Sequence, residues 1–413
     1  MSRGVYIASA VRTPIGKFGG GLADLAAPDL GVIAVREALR RAFGSAPAER
    51  TPGDRKRMDP ARAPRQVDEL ILGNARPAGV GPNVARQVAW RSGLGDDVPA
   101  FTVNMACASG LRAILLGWQQ IALGSADVIV AGGAESMSRV PYLVDARWGM
   151  HMGHQPLVDA MYRDGFLCPI SQLVMGETAE LLAQEFSIPR TEQDEFALES
   201  HRRAARAMES CRFSQEIVAV EKTDAKGRTT RIEKDEHVRP DVTLEALTKL
   251  PPVFAKDGTI TAGNASGITD AASAVVLVSE ERLKSLAGPP LARIVDATVA
   301  AAEPHRMGIA PVPACRKLEE RTGWKIRDYA AVELNEAFAA QVLACHRELQ
   351  FDRARLNPNG GAIALGHPIG ATGARIVTTL VHELRRQPGG SRRGLATLCV
   401  SGGLGVALAL EAT

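Results

Sequence analysis

The chain states nearly the same plan twice. One stretch carries Val103-Asn104, a Gly-containing turn and a helical run from Ser109 to Leu116. A strand from Asp127 to Ala131 and the loop Gly132-Gly133 follow. The other carries Leu356-Asn357, a longer Gly-rich turn and a helical run from Gly370 to Val377. Its strand runs from Leu395 to Val400, before the loop Gly402-Gly403. The flanks echo too: Val67 to Asn74 matches Ala330 to Asn335, and Gly4 to Val11 matches Ala292 to Val299. Alternating strands and helices at both ends predict an α/β fold whose sheets are covered, in two similar halves near residues 1–138 and 290–413.

The region between the halves has no counterpart. Residues 139–190 are loop-rich, with Met150, His151, Met152 and Cys168-Pro169. A helix is expected over Gly176 to Ala183. A second should start at Thr191, with Gln193, Asp194 and Glu195 in its first turn, suiting an N-cap and the helix dipole. Residues 217–235 read as a hairpin of Ile217–Val220 and Arg228–Glu233 joined at Lys226-Gly227. This middle region is expected to be a lid that shapes a pocket. Ala46 to Arg65, rich in Pro and Arg without apolar period, reads as a solvated loop.

Composition narrows the class. The 413 residues are 46% hydrophobic and 23% charged, ordinary for a globular protein, so disorder and disulfide scaffolds are disfavoured. Aromatics are 4% while Gly numbers 40, so the core must be aliphatic, with close backbone approach at glycines. The net charge of +3 gives no bulk attraction for nucleic acid. No apolar run is long enough to span a membrane. Met1 to Gly16 alternates like a strand, so no signal peptide is expected. The six cysteines are scattered with no C-x-x-C pair, which suits a reducing cytoplasm and argues against a clustered zinc site. His151 and His154 lack further ligands beside them, and no metal is expected. Phosphate-loop and dinucleotide fingerprints are absent.

Four residues stand out as chemistry. Cys107, in Asn104-Met105-Ala106-Cys107-Ala108-Ser109-Gly110, sits between strand and helix. Free N–H groups and the dipole there should lower its pKa. His367 lies in Gly366-His367-Pro368 within a turn crowded with glycines; an imidazole poised near neutral pH there can take a thiol proton. Cys399 ends a strand before Ser401-Gly402-Gly403, as an acid/base with a pKa near the ordinary value of about 8.5. Asn335, in Leu334-Asn335-Glu336-Ala337-Phe338, reads as a helix cap or as an amide that orients a water or an oxyanion. Each alone also has a plain structural reading.

Taken in order, these segments resemble the thiolase family of acyl-CoA C-acyltransferases. The likeness runs from Ala10-Val11-Arg12-Thr13-Pro14-Ile15-Gly16 through Cys107-Ala108-Ser109-Gly110 and Gly132-Gly133-Ala134-Glu135-Ser136-Met137-Ser138. It continues through Thr261-Ala262-Gly263-Asn264-Ala265-Ser266, Asn335-Glu336-Ala337-Phe338, Asn359-Gly360-Gly361-Ala362 and Gly366-His367-Pro368 to Cys399. The resemblance implies a five-layer αβαβα body. Its first half would be residues 1–138 plus 266–289, its loop domain 139–265 and its second half 290–413. It implies ping-pong acyl transfer between 3-oxoacyl-CoA and CoA, with Cys107 as nucleophile, His367 as its base and Cys399 as acid/base. His367 and a water on Asn335 would hold the enolate oxygen. Met175, Arg239, Phe254, Ser266, Ile268 and Phe338 would line the coenzyme channel, with a backbone donor at Ser401. Coenzyme A is then a substrate, no separate cofactor is needed, and a homodimer or homotetramer in fatty acid metabolism is expected.

Val174 stands where a His is usual in the short-chain members, and Ser401 where Gly is usual, so the resemblance leaves chain length open. A decarboxylating ketoacyl synthase would need a His at the turn where Asn357 and Asn359 stand. A non-catalytic thiolase-like scaffold would be expected to lack Cys107 or His367.

Overall fold

The computed structural model describes residues 3–54, 67–224, 226–387, 389 and 392–413. The first half comprises β1 (Val5–Arg12), β2 (Gly16–Lys17), α1 (Ala27–Phe43), β3 (Glu69–Gly73), α2 (Val84–Arg91), β4 (Ala100–Val103), α3 (Ser109–Ala122) and β5 (Val128–Ser136). The intervening region holds β6 (Tyr142–Leu143), β7 (Val158–Asp159), α4 (Met175–Glu185), α5 (Arg190–Glu209), the hairpin β8 (Val220–Thr223) and β9 (Thr229–Ile232), and α6 (Leu244–Thr248). Then β10 (Thr269–Ser279) inserts antiparallel between β1 and β5. The second half comprises β11 (Ala292–Ala301), α7 (Pro311–Thr322), β12 (Ala331–Leu334), α8 (Ala339–Leu349), α9 (Ala362–Leu365), α10 (Ile369–Arg386), β13 (Arg393–Val400) and β14 (Leu404–Ala412).

The strand order is β12-β13-β14-β11-β1-β10-β5-β3-β4. The two halves thus share a continuous sheet, joined where Val5, Tyr6 and Ile7 of β1 pair with Ile294, Arg293 and Ala292 of β11. The echo extends to the edges. β4 lies parallel to β3, and Leu356 makes a parallel bridge to Val332 of β12 in the equivalent place.

Side-chain alternation along the strands sorts the core into layers. Val128 and Val130 of β5, with Val276 and Val278 of β10, face α1 and α2. Ile129, Ala131, Val275 and Leu277 face the opposite way, onto α3 and α10. In the second half Leu408 and Leu410 face that same central layer, while Ala407 and Ala409 face α7 and α8. The result is helix, sheet, helix, sheet, helix. Every residue from Ile369 to Leu384 of α10 is buried, so its polar groups need partners. Thr378 meets Ser273 at 3.0 Å, His382 meets the Ala10 carbonyl at 2.9 Å and Arg375 pairs with Glu333 at 3.2 Å.

Helices α3 and α10 cross at glycines. A Cβ on Gly373 would fall 2.3 Å from the Leu111 nitrogen, and one on Gly110 would fall 2.9 Å from the Ala374 nitrogen.

Several local expectations are corrected. Gly132-Gly133 is no loop but the middle of β5. The glycines are needed for clearance, since a Cβ on Gly133 would lie 2.0 Å from the Gly370 carbonyl of α10, and one on Gly132 2.1 Å from that of Ser273. Thr191 is not a cap: α5 starts at Arg190 behind Pro189, and Gln193 and Asp194 point into buried space. The hairpin begins at Val220 rather than Ile217, because Ile217 instead bridges to Arg12 of β1. The start of the Pro/Arg-rich stretch is anchored rather than solvated. The Arg50 guanidinium stacks 4.0 Å over the Trp90 ring and pairs with Asp96 at 2.6 Å. Residues 55–65 of that stretch lie outside the described residues.

Candidate active site

Cys107 sits on a strained elbow. Between β4 and α3 the chain passes through a short 3₁₀ turn, Ala106–Ala108, and Ala106 has φ +42°. A side-chain-bearing residue in the left-handed region costs about 1–2 kcal/mol, so neighbouring contacts must hold it there. Asn104 Oδ1 accepts from the Ala106 N–H at 2.9 Å. Ser109 Oγ accepts from the Met105 N–H at 2.9 Å and donates to the Ala106 carbonyl at 2.7 Å. The backbone N–H groups of Ser401 and of Cys107 itself converge on the thiol sulfur. The expected fall in thiol pKa is overturned: burial pushes Cys107 up, against the pull of the Arg76 cation and those two N–H donors.

His367 lies between α9 and α10, behind Gly366 at φ +102°, where a Cβ would meet the Thr269 side chain at 2.2 Å. Its backbone N–H donates to the Gly267 carbonyl at 2.9 Å. Nδ1 lies 2.7 Å from Thr372 Oγ1, which in turn lies 3.0 Å from the Pro368 carbonyl. A carbonyl only accepts, so the one hydroxyl proton goes to Pro368 and Nδ1–H donates to Thr372. Nε2 therefore carries the lone pair, and it is buried without a protein partner among the described residues. The imidazole is not poised near neutrality. Burial, then the Arg375 and Arg76 cations, lower its pKa to about 3. The resting pair is a neutral thiol beside a neutral imidazole.

Cys399 is 1% exposed at the end of β13, packed among Ala179, Ala183, Met307 and Phe338. Burial, and then the neighbouring Cys107, raise its pKa well above the ordinary value assumed from sequence. Ser401 follows in the turn before Gly402 and Gly403, both at positive φ. Asn335 follows β12; its backbone N–H donates to the Thr397 carbonyl at 3.0 Å. It caps no helix. Its side-chain Oδ1 and Nδ2 are both fully buried without a protein partner. An unsatisfied buried amide costs about 1–3 kcal/mol, which marks a position kept for something other than packing.

These elements surround a cavity of about 620 Å³. Cys107, His367, Cys399 and Ser401 line it together, as do Met175, Arg239, Phe254, Ser266, Ile268 and Phe338. Asn335 is not among the residues that line it. Phe254 and Phe338 meet edge to face at 6.2 Å, and Gly176 is the only residue type that fits under the Phe254 ring, 2.2 Å from a built Cβ. Val174 also lines the cavity, at the start of α4.

Sequence reasoning missed four contributors. Thr372 fixes the histidine tautomer. His237 lines the cavity and donates from Nδ1 to the Ala364 carbonyl at 3.0 Å. Glu135 ties the start of α10 to the loop after β3, accepting from Asn74 Nδ2 (2.7 Å) and from the N–H groups of Ala75 (3.0 Å), Arg76 (3.1 Å) and Gly370 (2.8 Å). Arg76 lines the cavity as a buried cation. A position two residues past the Asn-ended strand was the available signal for Arg76; nothing in one sequence pointed to the others.

Residues 58–281 match the family model described as thiolase, N-terminal domain, and residues 288–412 the one described as thiolase, C-terminal domain. An acetyl-CoA acetyltransferase of Pseudomonas aeruginosa is 47% identical over 98% of both chains. A probable acetyl-CoA acyltransferase of Staphylococcus aureus is 44% identical over 98% of both. The crystal structure of the Bacillus anthracis acetyl-CoA acetyltransferase superposes with a TM-score of 0.92 at 43% identity, over 100% of this chain and 99% of that one. That of human mitochondrial 3-ketoacyl-CoA thiolase in complex with CoA gives 0.89 at 41% identity, over 100% and 98%. With its elbow cysteine, lone-pair imidazole and second thiol around a single cavity, the chain belongs to the thiolase family.

Proposed function

We propose that this cavity carries out reversible thiolysis of 3-oxoacyl-CoA by CoA, giving acetyl-CoA and an acyl-CoA shortened by two carbons, with Claisen condensation as the reverse. The observation that carries this reading is the convergence of Cys107, His367 and Cys399 on one cavity, with the Ser401 and Cys107 N–H groups aimed at the Cys107 sulfur.

In the first half-reaction His367 Nε2 takes the Cys107 proton as sulfur attacks the 3-oxo carbon. The resting pair is neutral, so charge separates only as the oxyanion forms, where the two N–H donors meet it. The C2–C3 bond breaks and its electron pair goes to the departing acetyl-CoA enolate. Cys399 gives its proton to that carbon; a thiol held strongly protonated by burial is suited to being the donor. The enolate oxygen is held by His367 and by a water on the unpaired Asn335 amide. CoA then attacks the acyl-Cys107 thioester; its thiol proton goes to the Cys399 thiolate, and His367 returns its proton to the departing Cys107 sulfur.

Met175, Arg239, Phe254, Ser266, Ile268 and Phe338 are read as the pantetheine channel. Residues 1–138 plus 266–289 form the first catalytic half, 139–265 the loop domain and 290–413 the second half. A homo-oligomer is supported by β4, whose outer edge is unpaired among the described residues, and by Trp148 and Met152, exposed at 86% and 104% in the loop domain. Both working cysteines must stay thiols, which favours a reducing compartment such as the cytoplasm.

A panel of 3-oxoacyl-CoA esters assayed for CoA-dependent cleavage tests the reading. Loss of the ester with matching release of acetyl-CoA is expected. Activity confined to malonyl-dependent condensation with release of CO₂ would overturn it.

A further inference from the structure

Two apolar clusters border the cavity. Cys399, Met175, Phe254 and Phe338 pack in one cluster, which holds three of the six proposed pantetheine contacts, while Ile268 packs with the other cluster. Ala75, Met137, Met161 and Ile369 pack in that other cluster, with Cys107 and Phe166 against them. Arg76, next to Ala75, brings a guanidinium to the cavity wall beside this second cluster.

Arg76 is only 6% exposed. Its Nη1 donates to the Ala75 carbonyl at 3.0 Å. Its Nε is buried with no partner among the described residues, and no carboxylate there forms an ion pair with it. Glu135 lies close enough for its charge to interact with Arg76, but it makes no ion-pair contact, and its oxygens accept from Asn74 and from the backbone N–H groups of Ala75, Arg76 and Gly370. The loop domain leaves room for the guanidinium: a Cβ on Gly165 would come within 2.6 Å of Nη2 and 2.7 Å of Nε. A buried N–H without an acceptor is costly, and a guanidinium offers an Nε/Nη2 edge that matches a carboxylate bidentately.

We infer that Arg76 is a specificity residue that selects 3-oxoacyl-CoA esters whose acyl chain ends in a carboxylate. This rests on the thiolytic reading of the site. The acyl chain runs from Cys107 along the Met137, Phe166 and Ile369 wall, and its terminal carboxylate supplies the acceptor that Nε lacks. A neutral chain end leaves the buried Nε–H without an acceptor. A site built around a buried polar group rejects the analogue that cannot pair with it far more strongly than an apolar pocket rejects a methylene.

The test compares kcat/KM for thiolysis of length-matched esters of six and eight carbons. One member of each pair ends in a carboxylate and the other in a methyl group; acetoacetyl-CoA is the control. The wild-type enzyme is expected to prefer a carboxylate-ended ester by about 100-fold or more. Arg76→Leu should bring that ratio below about 10-fold, and Arg76→Lys should retain part of it. The wild-type ratio tests the inference even if the Leu variant folds poorly. A wild-type ratio near or below one overturns it, as does a Leu variant in which both esters slow equally, the signature of a purely electrostatic effect on Cys107. Cleavage of acetoacetyl-CoA with no preference among the longer pairs removes the inference but leaves the thiolytic reading standing. Cleavage of no ester removes both.

Discussion

Each half of the molecule contributes one thiol, and the two sit in opposite settings. Cys107 stands on an elbow strained at Ala106, half-buried on the cavity wall, with two backbone N–H groups trained on its sulfur. Cys399 ends a regular strand, is 1% exposed and lies among apolar side chains. The first environment offers access and donors for a developing negative charge, as a nucleophile that becomes a thioester needs. The second lines the same cavity but is more enclosed, and burial holds its proton more firmly. On the proposed mechanism the same side chain is thus given two jobs by burial and backbone, without any change in its own chemistry.

The largest test of this contrast is removal of the nucleophile. Cys107→Ser should lower thiolysis by about 10⁴-fold or more and leave no acetyl adduct by mass spectrometry after mixing with acetyl-CoA. Near-normal turnover would mean that the elbow is not the point of attack. Cys399→Ala should lose carbon–carbon cleavage by about 10²–10⁴-fold, yet still take up one acetyl group on Cys107. Equal loss of both steps would erase the distinction between the thiols.

A smaller effect separates His367 from both. Its folded-state pKa is about 3 against 6.5 when free. Between those values the unfolded chain binds a proton that the folded one refuses, so stability falls as pH drops through this window. His367→Asn lacks that penalty. Lowering the pH from 6.5 to 5 should therefore destabilise the wild type by about 2 kcal/mol more than the variant, at ~1.4 kcal/mol per unit. Parallel urea midpoints across this range would show instead that the imidazole is hydrated. The smallest effect concerns the elbow. Ala106→Gly relieves the left-handed residue and should raise stability by about 1 kcal/mol in urea unfolding. A loss of stability would mean that the turn is not strained.

The catalytic turns were legible in the sequence because they are local. Cys107, His367 and Cys399 each announce themselves by nearby glycines and by their place at the end of a regular element, and the cavity gathers all three. What was not legible came from residues distant in sequence. The Gly132-Gly133 pair reads as a loop until Gly370, more than two hundred residues on, is seen against it. The pKa directions expected for Cys107 and His367 followed from helix termini and ordinary values, but enclosure by the other half and the loop domain outweighs both. Arg76 drew no attention because an arginine after a strand is common, and only its burial with an Nε that finds no partner among the described residues sets it apart.

The crossing of α3 and α10 at Gly110 and Gly373 bears on more than packing. Cys107 precedes the first helix by two residues and His367 the second by two. The two backbones touch within a turn of both, so their contact acts as a caliper on the gap between nucleophile and base. A methyl group at either glycine would open the jaws. Selection on these positions therefore acts on a length, and the tolerance of that length is less than one carbon atom.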